Sequence, residues 1–228
     1  MDTSNGQLLV TVAVLGGTGK EGSGLAMRWA LRGYRVVIGS RDAAKAIEKA
    51  VELNQALGGD YLTGAANLEA AMQANIVVLS VPYSAHKDTL TAVAEALKGK
   101  ILIDVTVPLS PPHVRTVFIP EGKSACLEAQ AMLGDDVRVI AAFQNVSAEK
   151  LKDPAFYVDC DVLVCGDDAA AKQEVLKLVD ATGMHGIDAG PLANSVAVEA
   201  LTPVLLHINK TYGAKGSGIR ITGIEKSL

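Results

Sequence analysis

The stretch LLVTVAVLGGTGKEGSGLAMRWALRGYRVVIGSRDAAK, residues 8–45, decides the fold. Its first part, Leu8–Leu15, is short, apolar and rich in β-branched side chains, as a strand buried on both faces should be. The run stops at Gly16-Gly17. A helix is expected from about Gly22 to Arg32, ended by Gly33, a residue suited to the left-handed position after a helix. Arg35–Gly39 then reads as a second strand. A strand, a glycine-rich turn, a helix and a strand make a βαβ unit with parallel strands and a right-handed crossover.

The alternation continues along the chain. A helix is expected over Asp42–Leu57, a short strand near Tyr61–Thr63, and a helix over Asn67–Gln73. Strand Asn75–Val81, helix Ala85–Leu97 and strand Lys100–Val105 follow. Pro108, Pro111, Pro112 and Pro120 interrupt Val107–Pro120, which reads as an ordered loop. Beyond it come helix Ser124–Leu133, strand Val137–Phe143, an irregular segment, strand Asp161–Cys165 and helix Asp168–Ala181. A strand near Gly186–Asp188 and a long helix Leu192–Tyr212 complete the set. The fold class is therefore α/β. It is a Rossmann-type, doubly wound, mostly parallel sheet with a small C-terminal α/β part that ends in a long helix.

Composition narrows the function. The chain has 228 residues, 49% hydrophobic, with a formal net charge of −4. A chain this apolar is not disordered. A mildly acidic chain without a basic block is a poor nucleic-acid binder. Cys126, Cys160 and Cys165 cannot all pair and lack metal-type spacing, so neither a disulfide scaffold nor a zinc domain is expected. They read as buried structural thiols. His207, mid-helix on an apolar stretch, also reads as structural. No apolar run reaches membrane-spanning length and no basic leader is visible, which fits a reducing cytoplasm.

In open parallel sheets ligands sit at the carboxyl ends of the strands. After the first strand, Gly17-x-Gly19-x-x-Gly22 is the dinucleotide fingerprint, in the strand–turn–helix context that gives it value. The glycines allow a tight turn, backbone approach to a pyrophosphate and close helix packing, and the helix N-terminus adds partial positive charge. After the second strand no carboxylate waits for a ribose hydroxyl. Ser40, Arg41 and Lys45 stand there instead, three donors suited to a 2′-phosphate, which selects NADP(H) over NAD(H). Asp42 is expected to cap the following helix.

At these residues the chain resembles the NADPH-dependent reductases of the deazaflavin coenzyme F-420 (F420). The resemblance extends through Val81-Pro82-Tyr83, Cys165-Gly166-Asp167-Asp168, Asp188-Ala189-Gly190-Pro191-Leu192 and Glu199-Ala200-Leu201-Thr202-Pro203, from about Leu8 to Ile224. It implies hydride exchange between NADP(H) and F420, the second substrate, on a Rossmann domain with a small C-terminal part, in a homodimer. By this similarity Thr18, Lys20 and Glu21 line the cofactor phosphates, Ser40, Arg41 and Lys45 take the 2′-phosphate, and Pro82 and Tyr83 lie along the nicotinamide half. His86 is a further cofactor candidate, or a helix cap. Asn194, Ser195 and Thr202 are carried over for the second substrate.

The departures fall on that second substrate. Gln144 stands where the family often has His, and Val196 and Ala200 where it often has Arg and Ser. Losing a cation there is expected to weaken recognition of an anionic coenzyme. The domain reading is a NADP-binding domain over residues 8–147 and a C-terminal part over 148–228 that contributes to the acceptor site. Its last helix and Ile219–Ile224 are read as a dimer face or a cover for the sheet.

Hydride transfer is chemistry of the two cofactors, with the protein aligning them and excluding water, so no catalytic side chain is expected. No metal cluster is expected either. Two other readings stay open: an NADPH-dependent reductase of a flavin or quinone, and a non-catalytic NADPH sensor. Hydroxyacid dehydrogenases and pyrroline-carboxylate reductases share the fingerprint. They need a long helical C-terminal domain, and only about 80 residues follow Ser147.

Overall fold

The computed structural model describes residues 10–224. Leu8 and Leu9, expected in the first strand, lie outside them. Strand β1 (Thr11–Leu15) is buried along its whole length. Helix α1 (Lys20–Ala30) and strand β2 (Arg35–Ser40) complete the first βαβ unit. Then come α2 (Ala43–Leu57), β3 (Leu62–Ala66), α3 (Asn67–Gln73), β4 (Ile76–Leu79), α4 (Tyr83–Leu97) and β5 (Ile101–Asp104). The second half holds α5 (Ala125–Leu133), β6 (Arg138–Ala141), α6 (Ala148–Leu151), β7 (Asp161–Gly166), α7 (Ala169–Ala181), β8 (His185–Asp188), a 3-10 turn at Leu192–Asn194 and α8 (Ser195–Tyr212).

The strands form one sheet in the order β3-β2-β1-β4-β5-β6-β7-β8. β1 lies between β2 and β4, with Val14 level with both Ile38 and Val78. The crossovers reverse direction at this point, and a crevice opens there at the carboxyl ends. Strands β1 to β6 run parallel. β7 pairs antiparallel to β6, and β8 parallel to β7. The spacing of strands and helices did not reveal this reversal. Residues 144–150, part of the connection from β6 to β7, line the cleft at the carboxyl end, so the next strand can only return toward the other end. Residues 8–147 and 148–228 thus contribute to one continuous sheet.

Helices cover both faces. One core cluster joins Val12, Val14, Leu25 and Trp29 to Val175, Leu178 and Val179. The other joins Ala13, Leu15 and Leu79 to Leu90, Cys126 and Val198. Trp29 meets Phe143 edge to face at 5.9 Å, and its Nε1 donates to the Leu178 carbonyl at 2.8 Å. This buried aromatic pair ties α1 to β6 and α7, and it satisfies the indole donor that burial would otherwise orphan.

The capping residues fall where the sequence places them. Asp42 Oδ1 accepts from the Ala44 and Lys45 amides, Ser124 Oγ from the Leu127 amide, and Asp168 Oδ1 from the Ala171 amide. Several boundaries shift, two of them beside the residues expected at the site. Helix α4 starts at Tyr83, not Ala85, and the expected helix from Leu192 opens as a 3-10 turn. His207 is exposed on α8 and does not pack into the core. The three cysteines are free and buried.

Candidate active site

The turn after β1 is built by close approach. Gly16 has φ +74°, and a Cβ there would lie 2.3 Å from the Ser80 carbonyl oxygen. Neither the left-handed backbone nor the space admits another residue. The Gly17 amide donates to the Val14 and Gly39 carbonyls, both at 3.0 Å, which locks the turn between β1 and β2. At Gly22 a Cβ would stand 3.0 Å from the Gly17 Cα, so this glycine lets α1 sit directly on the loop. Gly19 precedes α1 and no side chain caps the helix, leaving its first amides free for an anion.

Two openings meet at this turn. A groove joins Thr18, Ser40, Arg41 and Lys45 to Asn67, Pro82, Ala85 and Thr89. Ser40 Oγ accepts from the Asp42 amide at 3.2 Å, so its own proton is available to a ligand. Asp42 spends its carboxylate on capping α2. Arg41 and Lys45 enter no ion pair among the described residues. The sequence argument for a phosphate-sized anion therefore meets a groove with three free donors.

The second opening is a chamber of about 910 Å³. Gly19, Lys20 and Glu21 form one side, and Ser80 to Pro82 and Val105 to Val107 the floor. Residues 144–150 and the face of α8 carrying Thr202, Leu205, Leu206 and Asn209 close the other side. Gly19 and Pro82 belong to both openings, so the two form a continuous path. Lys20 Nζ donates to Glu149 Oε1 at 2.8 Å, linking the start of α1 to α6. Glu21 has no ion-pair partner at the chamber wall, and desolvation pushes its carboxyl up to about 8.

Four expected contacts do not line this path. Tyr83 and His86 were expected along the nicotinamide. Because α4 begins two residues early, both fall on the face that packs against the core and α5. Tyr83 Oη donates to Glu128 Oε2 at 2.8 Å, and burial, aided by that carboxylate, pushes the phenol up to about 12. His86 Nε2 stands 2.6 Å from Asp104 Oδ2, in a buried pair.

Asn194 and Ser195 were expected at the second substrate. Both lie off the chamber lining, in the turn after β8 and at the start of α8. There Asn194 Nδ2 donates to the Ala189 carbonyl at 2.7 Å. Ser195 Oγ is buried, 2.8 Å from Ser124 Oγ, as a link between α8 and α5. Of the three candidates for the second substrate only Thr202 reaches the chamber, and its hydroxyl donates to the Gln144 carbonyl at 2.6 Å.

The departures from the family pattern also move. Val196 and Ala200 lie off the chamber lining, so the loss of cation and hydroxyl does not fall on its wall. Gln144 does line it, with Nε2 turned inward to the Asp104 carbonyl at 2.7 Å. Glu199, one turn before Thr202, is buried. Its two oxygens accept from the Ala125 and Cys126 amides at 2.8 and 3.1 Å. Burial outweighs these bonds and pushes its carboxyl up to about 7.

Sequence reasoning missed Thr106, residues 145–150, Leu205, Leu206, Asn209 and the segment Ala214–Ser217. The helical spacing from Thr202 to Asn209 could have found the α8 residues. The loop residues carry no spacing signal.

Comparisons with known proteins show the family. Residues 11–108 match the family described as NADP oxidoreductase coenzyme F420-dependent. The chain is 42% identical over 224 residues to the F420-dependent NADP reductase of Methanothermobacter marburgensis, covering 94% of this chain and 99% of that one. It is 40% identical to the F420-dependent NADP reductase of Methanocaldococcus jannaschii, with the same coverage. Among solved structures, a putative F420-dependent NADP-reductase from Arthrobacter sp. FB24 superposes with a TM-score of 0.78. It is 30% identical and covers 92% of this chain and 98% of that one.

Proposed function

The chain belongs to the family of F420-dependent NADP reductases, and we propose that its two joined openings hold NADP(H) and F420 for direct hydride exchange. It is an oxidoreductase of Rossmann fold. The observation that carries the site assignment is the continuity at Gly19 and Pro82. A dinucleotide anchored at Arg41 crosses the glycine turn and ends in the chamber, where room remains for a second ring.

Nicotinamide and deazaflavin supply the hydride donor and acceptor carbons. Ser40, Arg41 and Lys45 bind the 2′-phosphate. The amides opening α1, with Thr18 and Lys20, bind the pyrophosphate. Pro82 and the β5 loop at Thr106 support the nicotinamide side. Thr202, Leu205 and Leu206 on α8 and residues 145–148 support the acceptor side and exclude water. The chamber lining carries no aromatic ring, so aliphatic and backbone groups hold the second ring. No side chain is assigned a proton-transfer step.

We further take the enzyme to work as a homodimer in the cytoplasm, on a small-molecule acceptor and not on nucleic acid. Three free buried thiols and the absence, among the described residues, of any helix able to cross a membrane fit that setting. Sedimentation at micromolar concentration tests the dimer.

Mixing the protein with NADPH and F420 under anaerobic conditions is the deciding experiment. The deazaflavin absorbance is expected to bleach as NADPH is consumed. Turnover with FMN or a quinone, but not F420, overturns the acceptor assignment. Tight NADPH binding without turnover on any acceptor makes the protein a sensor.

A further inference from the structure

After α8 the chain turns at Gly213 and runs back along the chamber. Ala214, Lys215, Gly216 and Ser217 line its outer side, facing the α1 turn across the opening. Gly216 is pressed against the β6–β7 connection, where a Cβ would stand 2.5 Å from Ser147 Oγ and 3.3 Å from Lys150 Cε. The Ser217 amide donates to Asn209 Oδ1 at 2.8 Å. This strap is a wall of the acceptor side. None of its residues borders the groove of Ser40, Arg41 and Lys45.

The strap is fixed outside the chamber, at the first residue of β7. The Asp161 amide donates to the Ile219 carbonyl at 2.8 Å, and the Ile221 amide donates to Asp161 Oδ2 at 2.7 Å. Arg220, between them, pairs with Asp159, and its Nε lies 3.6 Å from Asp161 Oδ1. His185 Nδ1 is also 3.6 Å from that oxygen. Asp161 is 2% exposed, so a desolvated carboxylate faces one backbone amide and the Arg220 guanidinium, both from the strap. Buried charge is costly unless paired, and the Ile221 amide and Arg220 reach Asp161 only while the strap is docked.

We propose that Asp161 and Arg220 are positioning residues for the acceptor: by latching the C-terminal strap they set the width of the chamber that receives the planar second substrate. The inference rests on the reading that this chamber takes F420. Loss of the latch lets the wall retreat, which costs acceptor alignment and leaves the dinucleotide groove unchanged.

The test compares wild type with Arg220→Ala and Asp161→Ala. Each is assayed for KM and kcat with F420, for the Kd of NADP+, and for hydrogen exchange at the Ile221 amide. The wild type is measured first; if it binds NADP+ and fails to reduce F420, the proposed function itself falls. With an active wild type, the expected result is faster exchange at Ile221, a KM for F420 raised at least fivefold, kcat within twofold and an unchanged Kd for NADP+. Faster exchange with an unchanged KM overturns the proposal. So does unchanged exchange in Arg220→Ala, which is a surface change and keeps the test alive should Asp161→Ala not fold. An equal rise in the KM for F420 and the Kd for NADP+ also overturns it, because it marks a general loss of structure.

Discussion

His86 Nε2 lies 2.6 Å from Asp104 Oδ2, and both side chains are closed off from solvent. The other oxygen of Asp104 accepts from the Thr106 amide at 3.0 Å, and its backbone carbonyl accepts from Gln144 Nε2 at 2.7 Å. One residue at the end of β5 thus ties together α4, the chamber floor and the loop after β6. The pair lines neither opening. It is what holds the floor in place.

Removing Asp104 leaves His86 Nε2 and the Thr106 amide buried without their partner. Asp104→Ala is expected to cost about 3–5 kcal/mol of stability, the range for removing one member of a buried ion pair. Urea unfolding measures it. A loss below about 1 kcal/mol would show that the floor does not depend on Asp104.

The pH dependence has a definite sign. The bond and charge of Asp104, aided by Glu128 and Glu199, outweigh desolvation and raise the pKa of His86 above its usual value. Glu199 is raised to about 7 and Glu21 to about 8, both by burial. A group with a raised folded pKa contributes stability fully below its unfolded pKa, and that stability is lost as pH rises through the folded value. The carboxyls act from the ordinary glutamate value of 4.5 up to about 7 and 8, and His86 from 6.5 upward. The urea midpoint is therefore expected to fall between pH 5 and about 8. Glu199→Gln is expected to flatten the fall near pH 7. A midpoint that rises across this range would contradict the assignment.

Arg41 is expected to discriminate the cofactors. Arg41→Ala should weaken NADPH binding by ~1–3 kcal/mol, the scale of a lost charged hydrogen bond, and leave NADH nearly unchanged. Titration calorimetry with both cofactors decides it. Equal losses would place the 2′-phosphate elsewhere.

Arg28 is a long-range clamp. Its guanidinium donates to the carbonyls of Thr182, Lys150, Asp153 and Phe156. Burial lowers its pKa, opposed by Asp153. Arg28→Met removes this donor from four carbonyls and is expected to cost at least about 2 kcal/mol. The α6 segment should then show faster hydrogen exchange. Unchanged protection there would mean that the clamp is redundant.

Much of the architecture was legible because local chemistry repeats it. A β-branched run followed by glycines can hardly form anything but a buried strand and a tight turn, and Asp42, Ser124 and Asp168 announce their helices. The anion groove was legible for the same reason: Ser40, Arg41 and Lys45 follow one strand within one helical turn. The acceptor chamber was not. Its walls come from α1, three loops, α8 and the strap, and residues so far apart carry no shared spacing.

The sequence by itself determined the parallel βαβ core, the dinucleotide turn, the choice of a 2′-phosphate and, through motifs spread along the chain, the family. Only the tertiary structure decided which carried-over residues face the substrate. The turn after β8 holds Asn194 and Ser195 off the chamber, and α4 spends Tyr83 on Glu128 and His86 on Asp104. Strand direction is set by where a connection ends in space, and helix phase by which face finds a core to cover. Neither quantity belongs to any single stretch of residues.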